Sequence, residues 1–568
     1  MHRLRKFNFG TAAGYLWISF LVFVVLISAR TAYRQTLRTE EYPHSCDPFG
    51  YLEMAKEIRE SAPRFEFPTF KVESSQTRSL INLMQSKNLP TSVWNNFVGP
   101  HAYHYFPKAG HVGVQYPPGT GLTLAFFPEK KAVYQLNLVV VSTLLAVGVI
   151  ALVVSALRRT WGSAGLIVLA IYVAFEILGR LGALSFSINV VMVPLLLACL
   201  LSLVALWLKN GPSRRGLAWF AAFGVGLCLG YAVLVRLPSV FFVPGFLTLL
   251  WPSGGWRAAI KGAPCALCLG LFVGGFVPLF VHQQLTAGAW YISTYSPSVQ
   301  TNLPTIEILK HNFNYYFGTG YQTEDNWALL YLVVGFVGWV FYSYVRGSQG
   351  RSQRLGISWK RLTLSAFMVW GLPTAFFLTQ SLIGLHYMMA QNFCALILVS
   401  LCALAIESSS TTTAPNGQVM RRFAGAGLAL ILASVPAFVS IRGTWKDRHS
   451  TPPTTGPVAH QSVTIPAELA DERAWVWADL LTGTLWYYDH KPAFRVRFSN
   501  KDIRAMVYRY VASRGDRQYI VRDSEFIDEM MDEIKKMGGT LEPRGQVDGQ
   551  PYFLIHWQND GPKIAGTS

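Results

Sequence analysis

The chain has 568 residues, of which 51% are hydrophobic and only 14% are charged. Soluble proteins are nearer a quarter charged, so this composition indicates an integral membrane protein. The net charge of +18 does not indicate a nucleic-acid partner, because the cations fall mostly in short connections between apolar runs.

Eleven apolar runs approach the length of about 20 residues that crosses a bilayer. They predict an α-helical polytopic membrane protein with about eleven transmembrane helices. The basic sequence MHRLRK precedes the first run and no convincing cleavage site follows it, so that run is predicted to be a retained anchor. A stretch at 116–127 is a further partial or re-entrant segment. The predicted spans lie near 12–29, 133–156, 163–180, 184–208, 217–235, 237–252, 263–282, 327–345, 361–382, 385–406 and 422–441.

The distribution of Lys and Arg predicts the orientation of the spans, because cytoplasmic loops are enriched in both. With the N-terminus in the cytoplasm, the cytoplasmic connections are basic, whereas the short opposite connections near 181–183 and 383–384 contain neither residue type. We therefore expect a multi-pass protein of a bacterial inner (plasma) membrane. The long aqueous segments then lie on the outer, periplasmic face, which is where we expect the function.

Two domains are predicted. Residues 1–441 form a transmembrane domain with outer loops 30–132 and 283–326, and residues 442–568 form a small extracytoplasmic α/β domain. In the tail, AWVWADLL, QYIVRDS and PYFLIHW predict short strands. The sequence SEFIDEMMDEIKKMGG predicts an amphipathic helix closed by Gly538.

The first outer loop contains HSCDPFGYLEMAKEIRES, residues 44–61. Asp47 suits the N-cap of a helix and Pro48 its first position. The following apolar residues share one face, which predicts a helix lying along the membrane surface. Asp47 is thus either a plain helix cap or a carboxylate that does chemistry at the membrane face, and one residue can serve both roles.

Two later stretches, HVGVQYPPGTGLTLAFF (111–127) and VLVRLPSVFFVPGFLTLL (233–250), complete a pattern. Together with Asp47 they resemble the GT-C superfamily of integral membrane glycosyltransferases, which includes protein O-mannosyltransferases, aminoarabinose transferases and Rgt-like groups. Those proteins carry an aspartate in the first outer loop followed by Y-x-x-x-A, matched here by Asp47, Tyr51 and Ala55.

Further motifs of the superfamily are matched less closely. Its (H/Y)-P-P-x-x-x-x-L-x-A element is approximated from Tyr116 onward, and its R-P pair is interrupted as Arg236-Leu237-Pro238. The chain also departs from the pattern. Pro48 stands where many relatives have a second acid, and His386 stands in place of the arginine of a late R-Y-L-L-P element.

The resemblance implies transfer of a sugar from a polyprenyl-phosphate carrier in the bilayer to a glycan, lipid or protein acceptor on the outer face. An acceptor hydroxyl that attacks the anomeric carbon needs a base, and Asp47 can serve. The leaving group is a phosphate ester and already a weak base, so the paired acid of a glycoside hydrolase is not required. Direct displacement would invert the anomeric centre.

A departing phosphate needs cationic or hydrogen-bonding partners. Arg236 is a candidate because it ends a predicted span, where an unpaired charge is costly, although an interfacial snorkelling arginine is the alternative. Further candidates are Lys108, His104 and His111, each of which is alternatively a solvated loop residue. His386 is also a candidate, although a histidine in place of the arginine weakens the assignment of a phosphate contact there.

Aromatic residues beside polar ones suit sugar faces or a membrane-interface belt, and the sequence does not separate the two. On this ground Tyr51, Tyr116, Tyr315 and Tyr316 are candidate substrate-binding residues. Glu324 and Asp325 are candidates for a second acid or for ligands of a divalent cation such as Mg or Mn, with a helix cap as the alternative. No other cofactor is indicated.

Three other functions compete. A transporter or flippase of a lipid-linked or small solute would normally carry charges at the membrane midplane and two related halves, and neither pattern is seen. An oligosaccharyltransferase-type enzyme would call for more acids in the outer loops. A membrane scaffold whose outer domain binds envelope partners should tolerate Asp47→Asn, whereas a base-dependent transferase should not.

Overall fold

A computed structural model gives the fold. It describes residues 9–36, 46–64, 66–158, 186–209, 214–252, 255–295, 305–317, 359–380, 385–407 and 463–558, with five further residues between 167 and 175.

Helices dominate the described residues, as the long apolar runs predict. In chain order they are α1 (Phe9–Thr36), α2 (Cys46–Ser61), α3 (Ser75–Ser86), α4 (Gly119–Ala125), α5 (Ala132–Arg158), α6 (Phe186–Lys209), α7 (Arg215–Val235), α8 (Val243–Leu250), α9 (Gly255–Ile260), α10 (Ala263–Leu271), α11 (Val277–Ala287), α12 (Ile306–Phe317), α13 (Trp359–Leu378), α14 (Met389–Glu407), α15 (Ala467–Ala470), α16 (Thr482–Asp489), α17 (Lys501–Ser513) and α18 (Glu525–Lys536). Short 3-10 turns lie at Leu237–Phe242 and Leu385–Met388, and a π-turn, Phe272–Phe276, joins α10 to α11.

Two small sheets accompany the helices. The strands are β1 (Lys71–Val72), β2 (Tyr103–Phe106), β3 (His111–Val114), β4 (Ala474–Ala478), β5 (Ala493–Arg495), β6 (Arg517–Val521), β7 (Gly539–Val547) and β8 (Gln550–Trp557). The first sheet is antiparallel in the order β1-β3-β2. The second has the order β5-β4-β6-β8-β7, with β4 parallel to β5 and β6 and the pairs of β8 antiparallel.

Among the described residues, five helical stretches are long and apolar enough to cross a membrane. They are Ala132–Val154, Ser187–Lys209, Arg215–Val235, Ala263–Ala287 and Arg361–Leu378. Shorter apolar helices coincide with three more predicted spans, at Ile18–Arg30, Leu237–Leu250 and Ala390–Ser400. The predicted spans near 163–180, 327–345 and 422–441 fall wholly or mainly outside the described residues. The predicted fold class, a polytopic α-helical membrane protein with a small C-terminal α/β domain, is confirmed.

The chain divides into two compact units. Unit 1 comprises 1–39, 133–278 and 302–458, and unit 2 comprises 40–132, 279–301 and 459–568. Unit 1 is the helical bundle, in which α7 and α10 approach closely at glycine. A Cβ on Gly226 would lie 2.1 Å from the carbonyl oxygen of Leu267, so a larger residue would separate the two helices.

Unit 2 combines the first outer segment with the tail. Phe97 from the first segment stacks on Trp477 of β4, with ring planes 4° apart. The side-chain amide of Gln76 donates to the carbonyl oxygens of Glu472 and Ala474 at 2.9 and 2.8 Å. The tail strands and helix predicted from sequence are present as β4, β6, β8 and α18. The proposed boundary between 441 and 442 lies outside the described residues.

Candidate active site

Asp47 lies in the first turn of α2, whose first residue is Cys46. The helix therefore begins one residue before the predicted cap, within the range by which assigned helix boundaries vary. Phe49, Leu52 and Ala55 are buried, as the apolar face of the sequence predicts. This burial fixes α2 in unit 2 and with it the position of the Asp47 carboxylate.

Tyr116 brings the second motif of the first outer segment to Asp47. Its hydroxyl donates a hydrogen bond to Oδ1 of Asp47 at 2.5 Å. The ring of Tyr51, one helical turn after Asp47, lies 4.6 Å from the ring of Tyr116, and the ring of Tyr295 lies 5.8 Å from it on an edge-to-face approach. Three of the predicted site residues, Asp47, Tyr51 and Tyr116, therefore form one cluster.

Glycine at position 50 makes this approach possible. A Cβ there would lie 2.6 Å from Cε2 of Tyr116 and 2.7 Å from the Cβ of Ala102. Both distances are shorter than carbon atoms tolerate, so any side chain would push the Tyr116 ring away. The glycine of the FGY sequence that follows Asp47-Pro48 is thus required by the close packing of Tyr116 against α2.

The backbone of Tyr116 is held by a buried histidine that the sequence analysis did not single out. His282, in the last turns of α11, donates from Nε2 to the carbonyl oxygen of Tyr116 at 3.0 Å. Because a carbonyl only accepts, this bond assigns the proton to Nε2, and Nδ1 then accepts from the hydroxyl of Thr286 at 3.4 Å. Thr294 donates to the carbonyl oxygen of the preceding residue, Gln115, at 2.8 Å.

His104 and His111, predicted as phosphate partners, both lie in the β2–β3 hairpin. His104 is buried against the side chain of Gln115, and burial lowers its pKa to about 4, so the ring is neutral at neutral pH. Burial also lowers the pKa of His111, whose Nδ1 lies 3.1 Å from the carbonyl oxygen of Ala109. In this geometry His104 contributes a hydrogen bond rather than a charge.

Lys108, the remaining cation predicted in this segment, lies in the turn between β2 and β3. Its ammonium group donates to the hydroxyl of Tyr291 and lies 4.6 Å from the centre of that ring. Tyr291 and its neighbour Trp290 are exposed aromatic residues in the turn that follows α11. The pair places a cation beside an exposed aromatic surface in unit 2.

The other predicted cations belong to unit 1. Arg236 is the C-cap of α7, and its guanidinium lies 5.3 Å from the ring centre of Tyr387, which stacks on Phe377. His386 precedes Tyr387 in the 3-10 turn Leu385–Met388. The late motif and the Arg-Leu-Pro motif therefore meet through Tyr387.

Tyr315 and Tyr316 also lie in unit 1, at the end of α12. Their rings contact each other edge to face, and Tyr316 is fully buried with Phe377 and Met388. Glu324 and Asp325 lie outside the described residues. Within the described ranges, no group of three or more His, Cys, Asp or Glu side chains is arranged to hold a metal ion.

One glutamate of α2, Glu53, is buried and a second, Glu57, is half-buried, which the amphipathic pattern did not predict. Burial raises the pKa of Glu53 to about 7, and burial together with the Glu53 charge raises the pKa of Glu57 to about 8. Tyr103 donates to Glu57 Oε1 at 3.5 Å, and Lys56 donates to the carbonyl oxygen of Tyr487. This acidic face of α2 packs on the tail helix α16.

Comparison with solved structures yields seven matching chains. No protein-family model matches the chain, and neither does any curated protein. The crystal structure of ArnT from Cupriavidus metallidurans in the apo state matches over 95% of this chain and 98% of that one, at 14% identity and a TM-score of 0.42. A likeness this distant does not bear on the site, whose function rests on this chain's own residues.

The arrangement around Asp47 suits proton abstraction. The bond from Tyr116 orients the carboxylate of Asp47, a group that accepts about four hydrogen bonds in all. The rings of Tyr51 and Tyr116 supply an aromatic wall beside it, of the kind that packs on the apolar face of a sugar. Because α2, the Tyr116 segment and α11 are all packed together, the carboxylate is preorganised rather than mobile.

Proposed function

We propose that the protein is an integral membrane glycosyltransferase that transfers a sugar from a polyprenyl-phosphate-linked donor to an acceptor. Asp47 acts as general base, and the reaction inverts the anomeric centre. The observation that carries the proposal is the hydrogen bond from Tyr116 to Asp47, which joins two motifs 69 residues apart in one packed cluster.

The step balances as a direct displacement. The acceptor hydroxyl oxygen forms a bond to the anomeric carbon while the bond from that carbon to the phosphate oxygen breaks. The hydroxyl proton passes to the carboxylate of Asp47, and the electron pair leaves with the polyprenyl phosphate. One base suffices because the phosphate leaves without being protonated.

The tyrosines beside Asp47 are the proposed sugar contacts. For the phosphate, Lys108 and Arg236 are the proposed partners, since lysine and arginine side chains supply the N–H donors that bind phosphate oxygens. His386, His104 and His111 remain secondary candidates as hydrogen-bond donors. We place the reaction at the outer, periplasmic face of a bacterial inner membrane, with a glycan, lipid or protein as acceptor.

The test is turnover of a panel of polyprenyl-phosphate sugars by the purified protein in nanodiscs, with wild type beside Asp47→Asn. Loss of a general base costs about a hundredfold to ten-thousandfold in rate, so release of sugar should nearly vanish. Asp502→Asn is the matched control, because Asp502 is also an aspartate in the first turn of a helix, α17, but is exposed.

Equal turnover by wild type and Asp47→Asn would refute the role of Asp47. Movement of the intact lipid-linked donor across the bilayer without sugar release would identify a flippase instead. Retained folding of the variant is checked by its thermal unfolding midpoint. A change confined to Asp47→Asn and absent from Asp502→Asn would support the transferase.

A further inference from the structure

Unit 2 contains a second polar cleft whose residues take no part in the Asp47 cluster. Its volume is about 380 Å³, and it opens to solvent. One wall is the first two turns of α3, and the other is formed by the tail around β4 and the start of β6. The lining residues are Ser75, Gln76, Ser79, Glu472, Arg473, Trp475, Arg514 and Asp516.

The two walls are fixed to each other by hydrogen bonds. The side-chain amide nitrogen of Gln76 donates to the carbonyl oxygens of Glu472 and Ala474, which lie on either side of Arg473. Gln76 is 5% exposed, so these bonds are shielded from water. The cleft is therefore a preformed feature of the fold rather than a gap between mobile loops.

A buried carboxylate orients the cations of the cleft. Asp516, whose side chain is 7% exposed, accepts from Nε of Arg514 at 2.9 Å and from the indole nitrogen of Trp475 at 3.1 Å. Nε of Arg473 lies 3.5 Å from its other oxygen. Each arginine thus contacts Asp516 through Nε. Since a guanidinium has five N–H donors, both arginines keep further donors for the cleft, apart from the bond of Arg514 Nη1 to Tyr510.

The cleft also offers acceptors. Oε1 of Gln76 is buried and has no hydrogen-bond partner among the described residues, while the Nε2 bonds fix which way the amide points. An unpartnered buried acceptor is costly, and a hydroxyl donor would relieve that cost. Glu472 adds a carboxylate to the lining, and Ser75 and Ser79 add hydroxyl groups that both donate and accept.

This combination specifies the class of ligand. Two oriented guanidinium groups favour an oxyanion, for which arginine provides paired donors. A bare inorganic anion would leave the acceptors unused and would meet the carboxylate of Glu472. The volume lies in the range that holds a small organic ligand rather than a single ion. A sugar that carries a carboxylate satisfies all of these features with one molecule.

We propose that this cleft binds a saccharide bearing a carboxylate, with the carboxylate on Arg473 and Arg514 and the ring hydroxyls on Gln76, Glu472 and the serines. The site goes beyond the proposed reaction, since binding here needs neither Asp47 nor a lipid-linked donor. It gives the tail domain a role in recognising an acidic glycan at the surface of unit 2.

The test measures binding of a trimer of galacturonic acid to the full-length protein in nanodiscs of zwitterionic lipid, with the neutral galactose trimer for comparison. The acidic trimer should bind about tenfold or more tightly than the neutral one, and added salt should reduce that difference. Arg473→Gln combined with Arg514→Gln should bring the affinity for the acidic trimer down to that for the neutral trimer.

Matched controls separate the cleft from the general charge of the protein. Arg522→Gln combined with Arg544→Gln removes two arginines that are also paired with carboxylates but lie outside the cleft, and should leave binding unchanged. Loss of Arg473 and Arg514 leaves the buried carboxylate of Asp516 without its ion-pair partners, which destabilises the fold. Ser79→Trp is therefore a second variant, which fills the cleft and keeps every charge.

Each outcome decides the proposal. Weakened binding in both cleft variants, with the control unchanged, would support it. If the arginine variant does not fold, the result for Ser79→Trp stands alone. Equal binding of the acidic and neutral trimers, unchanged affinity after Ser79→Trp, or no binding of the acidic trimer to the wild type would overturn it. All these measurements can be repeated in Asp47→Asn, where the affinity should be the same.

Discussion

Tyr116 donates its phenolic hydroxyl to Oδ1 of Asp47, and the two residues come from opposite ends of the first outer segment. Asp47 begins α2, whereas Tyr116 precedes the Pro-Pro turn that leads into α4. The bond fixes one carboxylate oxygen and so determines where the other points. A tyrosine hydroxyl bound in this way holds the carboxylate of the base in one orientation, so the base does not have to be oriented again in each turnover.

Tyr116→Phe should reduce turnover about tenfold to a hundredfold with little change in KM. A hydrogen bond to a charged group contributes about 1.5–3 kcal/mol, and here the bond serves the orientation of the base rather than binding of the donor. Steady-state kinetics with the donor found for the wild type provide the measurement. Tyr105→Phe is the control, since Tyr105 is another buried tyrosine of unit 2, and its hydroxyl accepts from Gln85 instead.

His282 should act as a positioning residue for the same bond. His282→Phe removes the donor to the carbonyl oxygen of Tyr116 and leaves that buried oxygen without this partner, at a cost of about 1–3 kcal/mol in the free energy of unfolding. Turnover should fall together with the thermal midpoint. His282→Gln, which retains a side-chain N–H donor, should recover part of both. Equal loss in the two variants would show that the ring's packing, not its hydrogen bond, supports Tyr116.

Gly50→Ala tests the close approach of α2 to Tyr116. The new Cβ would lie 2.6 Å from the tyrosine ring, so the ring must move and its hydroxyl must leave its position on Asp47. We expect a loss of turnover larger than the loss of stability, because alanine favours the helix by about 1 kcal/mol and offsets part of the steric cost. Gly216→Ala is the control, as that helical glycine has open space around its Cβ position. Full activity in Gly50→Ala would contradict the steric argument.

Local patterns made several features predictable from the sequence. The apolar runs predicted the long helices because a span needs only length and composition, and the short apolar and aromatic run PYFLIHW predicted β8. Asp47 and Tyr116 were predicted as site residues from motifs, and they do meet in the fold. The packing that brings them together depends on Gly50 and on α11, which no local pattern encodes.

Other features depend on contacts far apart in sequence. His282 lies in a predicted apolar span and was not identified as a site residue, although an ionisable residue inside such a span itself indicates a functional role. The burial of Glu53 was not predictable, because the helical pattern of α2 places it on the polar face and only the tail helix α16 covers that face. Glu472 and Gln76 meet across 396 residues, so the second cleft could not be seen from the sequence.

Glu53 predicts a pH dependence of stability. It lies 2% exposed in α2, and burial raises its pKa from an ordinary 4.5 to about 7. The groups that act on it are Lys56, Glu60, Glu129 and the indole of Trp486, and Glu57 beyond them has its pKa raised to about 8. Between pH 4.5 and 7 the folded chain keeps a proton that the unfolded chain has lost. Stability is therefore full below about pH 4.5 and falls as the pH rises through about 7.

Glu53→Gln should remove the part of the pH dependence that Glu53 contributes, because a neutral amide has no proton to lose, while the contribution of Glu57 remains. At pH 8 the free energy of unfolding of the variant should exceed that of the wild type by on the order of 2–3 kcal/mol, which raises its unfolding temperature, and at pH 4 the two should be nearly equal. Glu525→Gln, at an exposed glutamate in the first turn of α18 that does not act on Glu53, is the control and should follow the wild-type curve. Thermal unfolding midpoints across this pH range provide the measurement. Parallel curves for Glu53→Gln and wild type would show that the Glu53 carboxyl is ionised in the folded protein, and the tail helix α16 would then be held against a buried charge.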